Sequence, residues 1–267
     1  MAEPLITLTT DFGYSAPYVA VMKGVIYALC PSARVVDLTH AIAPQNVRQA
    51  AYFLATAVPY FPAGTIHVCV VDPGVGTVRA ALYTHVDGQH LLGPDNGLFT
   101  LLWRQAQKQP PLVRRLTEAR YWRPLVSATF HGRDIFAPTA AHLACGVLPE
   151  ELGPLHPQPV QLAVKPVVCT NTACEGEIQY VDDFGNLITN IPAGQVPQLP
   201  SLVTIGHRPP LRLPWVRTYG DAPPGTLVSL FSSDGYFEIA LVQGNAARHL
   251  QVHAGESVRL TWDHTGS

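Results

Sequence analysis

Two aspartates close apolar, β-branched segments, where a carboxylate could do chemistry. Asp11 ends residues 5–11 (LITLTTD), and Asp72 ends residues 65–72 (TIHVCVVD). In doubly wound sheets, ligands bind outside the carboxyl ends of the strands. A carboxylate there can accept hydrogen bonds from a ribose diol or hold a water molecule, but it can equally cap the turn that follows it. The pattern alone leaves both interpretations open.

Other polar groups stand in turn-forming segments. Residues 93–97 (GPDNG) and 182–186 (DDFGN) are typical of turns. His131, in residues 130–134 (FHGRD), could orient a catalytic water or bond to the backbone. The start of a GxGxxG loop at Gly74 fails because Arg79 occupies the third glycine position, so no dinucleotide site is predicted. Neither a CxxC nor an HExxH ligand pattern occurs, and we expect no metal site.

Composition bounds the function further. Charged residues are 13% of 267, fewer than the ~25% typical of soluble domains, which favours self-association. The net charge is -2 without a basic run, which argues against nucleic-acid and membrane partners. No apolar run reaches the ~18 residues of a membrane span, and the first residues lack a signal-peptide pattern. The five cysteines contain no CxxC, so free thiols in a reducing cytoplasm are expected.

These segments fit an α/β domain with a largely parallel sheet over residues 1–153. The predicted strands are 5–11, 35–39, 65–72, 80–86, 90–93 and 112–116, and the predicted helices are 16–30, 46–58, 96–107 and 132–146. The step at 87–88 (DG) predicts a hairpin.

The sequence pattern changes after residue 153, where several prolines indicate a linker. Short strands separated by turns then predict a small all-β domain over residues 154–267, either a barrel or a sandwich. The predicted strands are 175–181, 186–191, 202–205, 226–231, 236–242 and 257–262.

Eight short blocks, taken in order, resemble one known family. They are TTDFG at 9–13, MKG at 22–24, VVDLTH at 35–40, VVDPGVGT at 70–77, GPDNG at 93–97, FHGRD at 130–134, DDFGNLITNI at 182–191 and GNAA at 244–247. Together they resemble the S-adenosylmethionine (SAM) hydroxide adenosyltransferases, or SAM hydrolases, which are related to fluorinase and chlorinase. Each block alone is unspecific, but their order covers almost the whole chain.

The resemblance implies an N-terminal α/β domain, a C-terminal β-barrel and a homotrimer. The implied reaction converts SAM and water to adenosine and L-methionine without a cofactor, SAM being the substrate. The sites of the trimer lie between the N-terminal domain of one subunit and the C-terminal domain of the next. The catalytic set of the hydroxide-using members corresponds to Asp72, Arg79 and His131. The substrate-binding positions it implies are Asp11 for the ribose, Asp182, Asn186 and Ser233 toward the methionine end, Phe130 and Tyr219 as pocket aromatics, and Asn245 and Ala246 at adenine.

The resemblance also carries departures from fluorinase. Residues 16–18 (APY) occupy the stretch where fluorinase has polar residues near the substrate, and Ser233-Asp234 stands where fluorinase has Ser-Arg. Asp72, Val75 and Gly132 stand where fluorinase has Tyr, Thr and Ser, so hydroxyl groups near the halide are replaced by a carboxylate. Water is therefore the expected nucleophile. The alternatives are a non-catalytic adenosine or SAM-binding protein and, less favoured, a SAM-dependent halogenase.

Overall fold

The structure, a computed structural model, describes residues 3–262 of the chain. The chain divides into two compact units, the first ending at Leu162 and the second beginning at Ala163. Residues 154–162, which the sequence assigned to the second domain, stay with the first unit. The Val160 amide donates to Asp95 (2.8 Å), and the Leu162 amide donates to the Thr100 hydroxyl (2.9 Å).

The first unit alternates strands and helices in the predicted order. Its strands are β1 Leu5–Thr10, β2 Arg34–Thr39, β3 Ile66–Val70, β4 Ala81–Val86, β5 Gln89–Pro94 and β6 Leu112–Arg115. Its helices are α1 Tyr18–Leu29, α2 Val47–Ala57, α3 Thr100–Gln105 and α4 Ala137–Ala144. The α/β class is confirmed.

These strands form one mixed sheet in the order β2-β1-β3-β5-β4-β6. The pairings from β2 to β5 are parallel, whereas β4 pairs antiparallel with both β5 and β6. The β4–β5 hairpin turns at Asp87 and Gly88, as predicted, and both residues have positive φ. Apolar clusters cover both faces of the sheet, one including residues of α1 and α4 and the other residues of α2 and α3.

Two predicted helices are shorter than the sequence indicated. The segment predicted as 96–107 becomes helical only at Thr100, because residues 93–97 first form a turn in which Gly97 has φ +91°. The segment predicted as 132–146 begins as a π-helical turn, Gly132–Phe136, before α4. Single π-turns of this kind concentrate at functional sites.

The second unit is built on antiparallel strands. They are β7 Val168–Cys169, β8 Ala173–Val181, β9 Leu187–Pro192, β10 Leu202–Ile205, β11 Leu227–Phe231, β12 Tyr236–Leu241 and β13 Ser257–Thr261. Their order in the sheet is β10-β13-β8-β9-β12-β11, and β7 pairs with β8. A short helix, α5 Ala246–Leu250, follows β12.

The strands of the second unit form a curled sheet. β8 pairs with β13 through its first half and with β9 through its second half, so one strand serves both parts of the sheet. The strand order over residues 163–262 is an open path from β10 to β11. The unit is therefore a curled antiparallel sheet with a short helix, and this strand order does not confirm the predicted all-β barrel.

The cysteines differ in part from expectation. Cys169 and Cys174 face each other across β7 and β8 and are joined by a disulfide, so the expectation of free thiols is wrong for this pair. Cys30, Cys69 and Cys145 are free. None of the helices within residues 3–262 has the length and hydropathy needed to cross a bilayer.

Candidate active site

Asp72 lies just beyond the buried strand β3, where the chain enters a tight loop that returns to β4. The loop is held by its own bonds: the Val75 amide donates to the Asp72 carbonyl (3.2 Å), and the Thr77 hydroxyl donates to the Gly74 carbonyl (2.7 Å). This path brings Arg79 back against Asp72. The side chain of Asp72 is 4% exposed and that of Arg79 is 10% exposed, so the pair is shielded from water.

Arg79 joins the other two residues of the predicted catalytic set. Its Nε donates to both carboxylate oxygens of Asp72 (3.0 Å each), and its Nη2 also contacts Oδ2. The same Nη2 lies 2.8 Å from Nδ1 of His131. Because a guanidinium has donors and no acceptor, Nδ1 must accept, and the neutral ring then carries its hydrogen on Nε2. The three residues thus form one connected cluster.

His131 is positioned by the start of the π-helical turn and by the segment before it. Asp134 in that turn is fully buried and accepts from the Ser127 amide (2.9 Å) and from the guanidinium of Arg133. Gly76, with φ +75°, lies so close to the Ala128 carbonyl that any Cβ there would collide with it. Burial lowers the pKa of His131, and the nearby Arg79 charge lowers it further, which favours the neutral ring.

Asp11 leaves the same edge of the sheet as Asp72. Thr10 pairs in register with Val70, so the residues that follow β1 and β3 emerge side by side. The Asp11 carboxylate accepts from the Gln45 amide (2.7 Å), and Gln45 itself has φ +64°. Asp11 therefore bonds the turn at Gln45 through one carboxylate oxygen.

A polar network that sequence reasoning missed lies behind the Asp11 loop. Lys23 donates to Asp37 (2.7 Å), whose other oxygen is 3.0 Å from Nε2 of the buried His40. His40 Nδ1 lies 2.8 Å from the Thr10 hydroxyl, and its carbonyl accepts from the Gly13 amide (2.9 Å). The signal was present in the MKG and VVDLTH blocks, which contain three of these residues.

Phe130 belongs to an aromatic cluster in the first unit. Its ring lies 5.8 Å from that of Phe12 and 5.3 Å from that of Tyr18, both edge-on. The guanidinium of Arg133 lies 5.1 Å from the centre of the Phe130 ring. Tyr18, one of the residues that depart from fluorinase, thus contacts a predicted pocket aromatic.

In the second unit, the turn after β8 brings several predicted residues together. Asp182 accepts from the Asn186 side chain (2.9 Å) and amide (2.8 Å). Gly185, with φ +86°, lies where any Cβ would collide with the Asn245 side chain. Asn245 caps α5 by accepting from the Arg248 amide (2.7 Å), and Ala246 beside it is fully buried.

Tyr219 and Ser233 lie elsewhere in the second unit. Tyr219 is half-exposed, and its hydroxyl donates to Glu238 (2.7 Å), a residue of β12 that the sequence analysis did not select. Burial raises the pKa of Glu238, and the nearby Asp182 and Asp234 raise it further. Ser233 is exposed in the β11–β12 turn. The signal for Glu238 was a lone acid inside an apolar strand.

Comparison with known proteins accounts for nearly the whole chain. Sequence models of the SAM hydroxide adenosyltransferase N-terminal and C-terminal domains match residues 6–153 and 176–259. The chain belongs to the SAM hydroxide adenosyltransferase family. The resemblance drawn from the eight sequence blocks is thereby confirmed.

Comparison with individual proteins supports the same family membership of this SAM hydroxide adenosyltransferase. The (R)-S-adenosyl-L-methionine hydrolase of Thermus thermophilus is 43% identical over 94% of this chain and 97% of the relative. A fluorinase of an Actinoplanes species is 26% identical over 97% of this chain and 98% of its own. A crystal structure of an uncharacterized conserved protein from Thermotoga maritima is 34% identical, with a TM-score of 0.89 over 96% of this chain and 100% of that one.

Proposed function

We propose that this chain hydrolyses S-adenosyl-L-methionine to adenosine and L-methionine by attack of water or hydroxide on C5′ of the ribose. The relatives named (R)-S-adenosyl-L-methionine hydrolase are far more similar to it than the fluorinases, which supports an enzyme of the hydrolase type. Their name also supports the (R) configuration at sulfur as the preferred substrate.

The observation that carries this proposal is the shielded Asp72–Arg79–His131 cluster. Attack at C5′ of a sulfonium expels a neutral thioether, which needs no proton, so the site needs no general acid. Water is a poor nucleophile, so the site must bind it, desolvate it in part and remove a proton from it. Holding water and substrate in line also converts two reactants into one bound array. A carboxylate, a guanidinium and a neutral imidazole in contact supply these needs.

The hydrogen bonds favour one proton route. Since Nδ1 of His131 accepts from Arg79, the ring nitrogen left for a ligand is Nε2, which carries a hydrogen. We therefore assign His131 as the donor that orients the water oxygen and Asp72 as the acceptor of the water proton. Arg79 fixes both side chains and stabilises the hydroxide as it forms. The sequence alone does not decide between Asp72 and His131 as the acceptor.

The remaining residues serve as substrate contacts in this proposal. Asp11 accepts from the ribose diol, Asp182 and Asn186 hold the methionine end with help from Ser233, and Asn245 and Ala246 meet adenine. Phe130 and Tyr219 form aromatic walls. No cofactor takes part, because the sulfonium is already a good electrophile.

We further propose that the active form is a cytoplasmic homotrimer whose sites are shared between subunits, with the curled sheet of the second unit acting as the barrel domain of the family. Mixing an Asp72→Ala protein with an Asp182→Ala protein should then restore activity once subunits exchange. No recovery despite demonstrated exchange would favour self-contained subunits.

The compartment is tested by counting the free thiols of this protein in cell extracts. If the protein is cytoplasmic, Cys169 and Cys174 should be reduced there, because a reducing cytoplasm disfavours their disulfide.

An isotope experiment tests the reaction itself. Purified protein is incubated with each sulfonium epimer of SAM in ¹⁸O-water containing chloride and fluoride, and the nucleoside is analysed by mass. The expected product is adenosine labelled at its 5′-oxygen, formed faster from the (R) epimer. A 5′-halo-5′-deoxyadenosine would indicate a halogenase. Binding without turnover of either epimer would indicate a non-catalytic binding protein.

A further inference from the structure

The turn at residues 93–97 (GPDNG) has no part in the proposed reaction, yet it contacts both ends of the loop that carries Asp72 and Arg79. It follows β5, the strand that lies between β3 and β4 in the sheet. The loop leaves the end of β3 and returns at the start of β4. The turn is therefore placed between the two points where the catalytic loop joins the sheet.

Asn96 holds the first of these points. Its side-chain Nδ2 donates to the carbonyl of Val71 (2.9 Å), the residue immediately before Asp72. Its Oδ1 accepts from the amide of Leu98 (3.2 Å), which fixes the orientation of the amide group. Both ends of the Asn96 side chain are thus engaged, one on the turn itself and one on the catalytic loop.

The backbone of the same turn holds the second point. The Asp95 amide donates to the carbonyl of Ala80 (2.9 Å), the residue immediately after Arg79, and Pro94 then pairs with Ala81 in the β4–β5 ladder. The turn also lies close against β3, since a Cβ on Gly93 would come within 2.7 Å of the Cys69 carbonyl. One rigid turn thus fixes the start and the end of the loop.

We propose that Asn96 is a positioning residue for the hydrolytic reaction, which sets the placement of Asp72 relative to Arg79 and His131 through the Val71 carbonyl. The inference rests on the proposed function, in which this placement decides where the nucleophilic water is held. The loop contains Gly74 and Gly76, which restrict the backbone little, so an external contact is needed to fix its start. Misplacement of a reacting group by 1 Å can cost ~10²-fold in rate.

Two substitutions separate the contacts of Asn96, and a matched residue provides the control. Asn96→Asp removes the donor to Val71 but keeps the acceptor for Leu98, whereas Asn96→Ala removes both. Gln89 is the matched control, because its amide also donates to a backbone carbonyl, that of Phe61 (2.8 Å), at the opposite end of β5. Gln89→Ala makes the same change as Asn96→Ala away from the loop, whereas Gln89→Glu would place a carboxylate beside buried His67, whose Nε2 lies 3.4 Å from the Gln89 oxygen.

Both Asn96 variants should lower kcat by roughly 10- to 100-fold while KM and the Kd for adenosine stay within about twofold of wild type. The Gln89→Ala variant should lose thermal stability comparable to that lost by Asn96→Ala and keep kcat within about twofold. In an Asp72→Ala background, Asn96→Asp should change the residual rate by less than about threefold, because the residue it positions is gone. Equal kcat losses at Asn96 and Gln89, or full additivity with Asp72→Ala, would overturn the proposal.

A measurement without substrate keeps this inference separate from the proposed function. The imidazole of His131, assigned with a His131→Gln variant, is titrated by NMR in wild type, Asn96→Ala and Gln89→Ala, which add no charge. Loosening of Arg79 should raise the pKa of His131 toward its ordinary value in Asn96→Ala but not in Gln89→Ala, because Arg79 is, after burial, one of the groups that lower it. An unchanged His131 titration in Asn96→Ala would overturn the positioning role even if no SAM hydrolysis is found.

Discussion

Two carboxylates, Asp72 in the first unit and Glu238 in the second, have opposite electrostatic surroundings. In the first unit, Asp72 contacts the guanidinium of Arg79, so its negative charge meets a positive charge from the chain itself. In the second unit, Glu238 accepts from the neutral hydroxyl of Tyr219; burial raises the pKa of Glu238, and the acids Asp182 and Asp234 raise it further. The charge of Asp72 is thus balanced by the chain itself, whereas Glu238 would be stabilised by protonation or by a nearby cation.

This difference fits the proposed reaction, in which the Asp72 site activates water and the Glu238 region binds the substrate. A group that activates water must be held in one geometry, and a bidentate arginine contact provides it. A region that receives a sulfonium and an ammonium group can carry negative charge that the substrate offsets. The comparison leads to predictions about rate for the first unit and about affinity and pH-dependent stability for the second.

The largest expected effect is on turnover through the first unit. Asp72→Asn should lower kcat by about 10²–10⁴-fold, with Asp72→Ala, Arg79→Ala and His131→Ala also losing far more kcat than substrate affinity. His131→Gln, which keeps an N–H donor but cannot take a proton, should lose less than Asp72→Asn if the proton goes to Asp72. Steady-state rates beside calorimetric adenosine binding provide the measurement.

The matched control for this series is Asp87→Asn. Asp87 is also a turn aspartate that accepts from backbone amides, those of Gln107 and Lys108, but it lies at the β4–β5 hairpin. Its kcat should stay at the wild-type value. Normal turnover in Asp72→Asn, or a larger loss in His131→Gln, would contradict the assigned proton route.

The second prediction concerns acid stability and the buried His67 in β3. Burial lowers its pKa to about 4 from an ordinary 6.5, so its contribution to stability is complete above pH 6.5 and is lost as the pH falls toward 4. The free energy of unfolding should therefore drop by about 3 kcal/mol more between pH 7 and pH 4 in wild type than in His67→Gln. Urea unfolding at both pH values measures it.

An exposed histidine serves as the control for His67. His207 lies in a surface turn of the second unit, and His207→Gln should leave the pH dependence of unfolding as it is in wild type. If His67→Gln and wild type lose the same stability on acidification, burial of this ring is not what makes the first unit acid-sensitive.

The shared location of Asp11 and Asp72 was predictable from sequence, because neighbouring parallel strands deliver their carboxyl ends to one edge. The Asp72–Arg79 contact was not predictable from spacing. It depends on a loop path that Gly76 permits by its positive φ and its close approach to Ala128, a residue distant in sequence. Only the family resemblance put Arg79 and His131 beside Asp72.

Two further features depend on tertiary structure. The π-helical turn at Gly132–Phe136 has the local sequence of a helix start, and its wider turn follows from packing that no periodicity records. Glu238 sits in a strand whose four central residues are all buried, so alternation of polar and apolar residues could not identify its environment. The short α3 was overestimated because a helical pattern continues into the Asn96 turn.

The third prediction contrasts ligand affinity between the units. Asp11→Ala should weaken adenosine binding by about 5- to 150-fold, the cost of about 1–3 kcal/mol for a buried diol that loses its acceptor. Asp182→Ala should weaken SAM binding but leave adenosine binding within about twofold, since adenosine lacks the methionine end. Calorimetry with both ligands measures the two effects. Equal losses for both ligands in Asp182→Ala would contradict its assignment to the methionine end.

The smallest expected effect is a pH-dependent gain in stability at Glu238. Because its pKa is raised in the folded state, the stability it contributes is complete below its ordinary pKa of 4.5 and is lost as the pH rises through the raised value. Glu238→Gln stays neutral and still accepts from Tyr219, so it should raise Tm by about 2–4 °C at pH 7, corresponding to about 1 kcal/mol, and by much less at pH 4. Glu175→Gln, at an exposed ion pair with Arg259, is the control and should not gain stability. A Tm that falls at pH 7 in Glu238→Gln would mean that the buried carboxylate is stabilised by its surroundings, and the contrast between the two units would then fail at its central point.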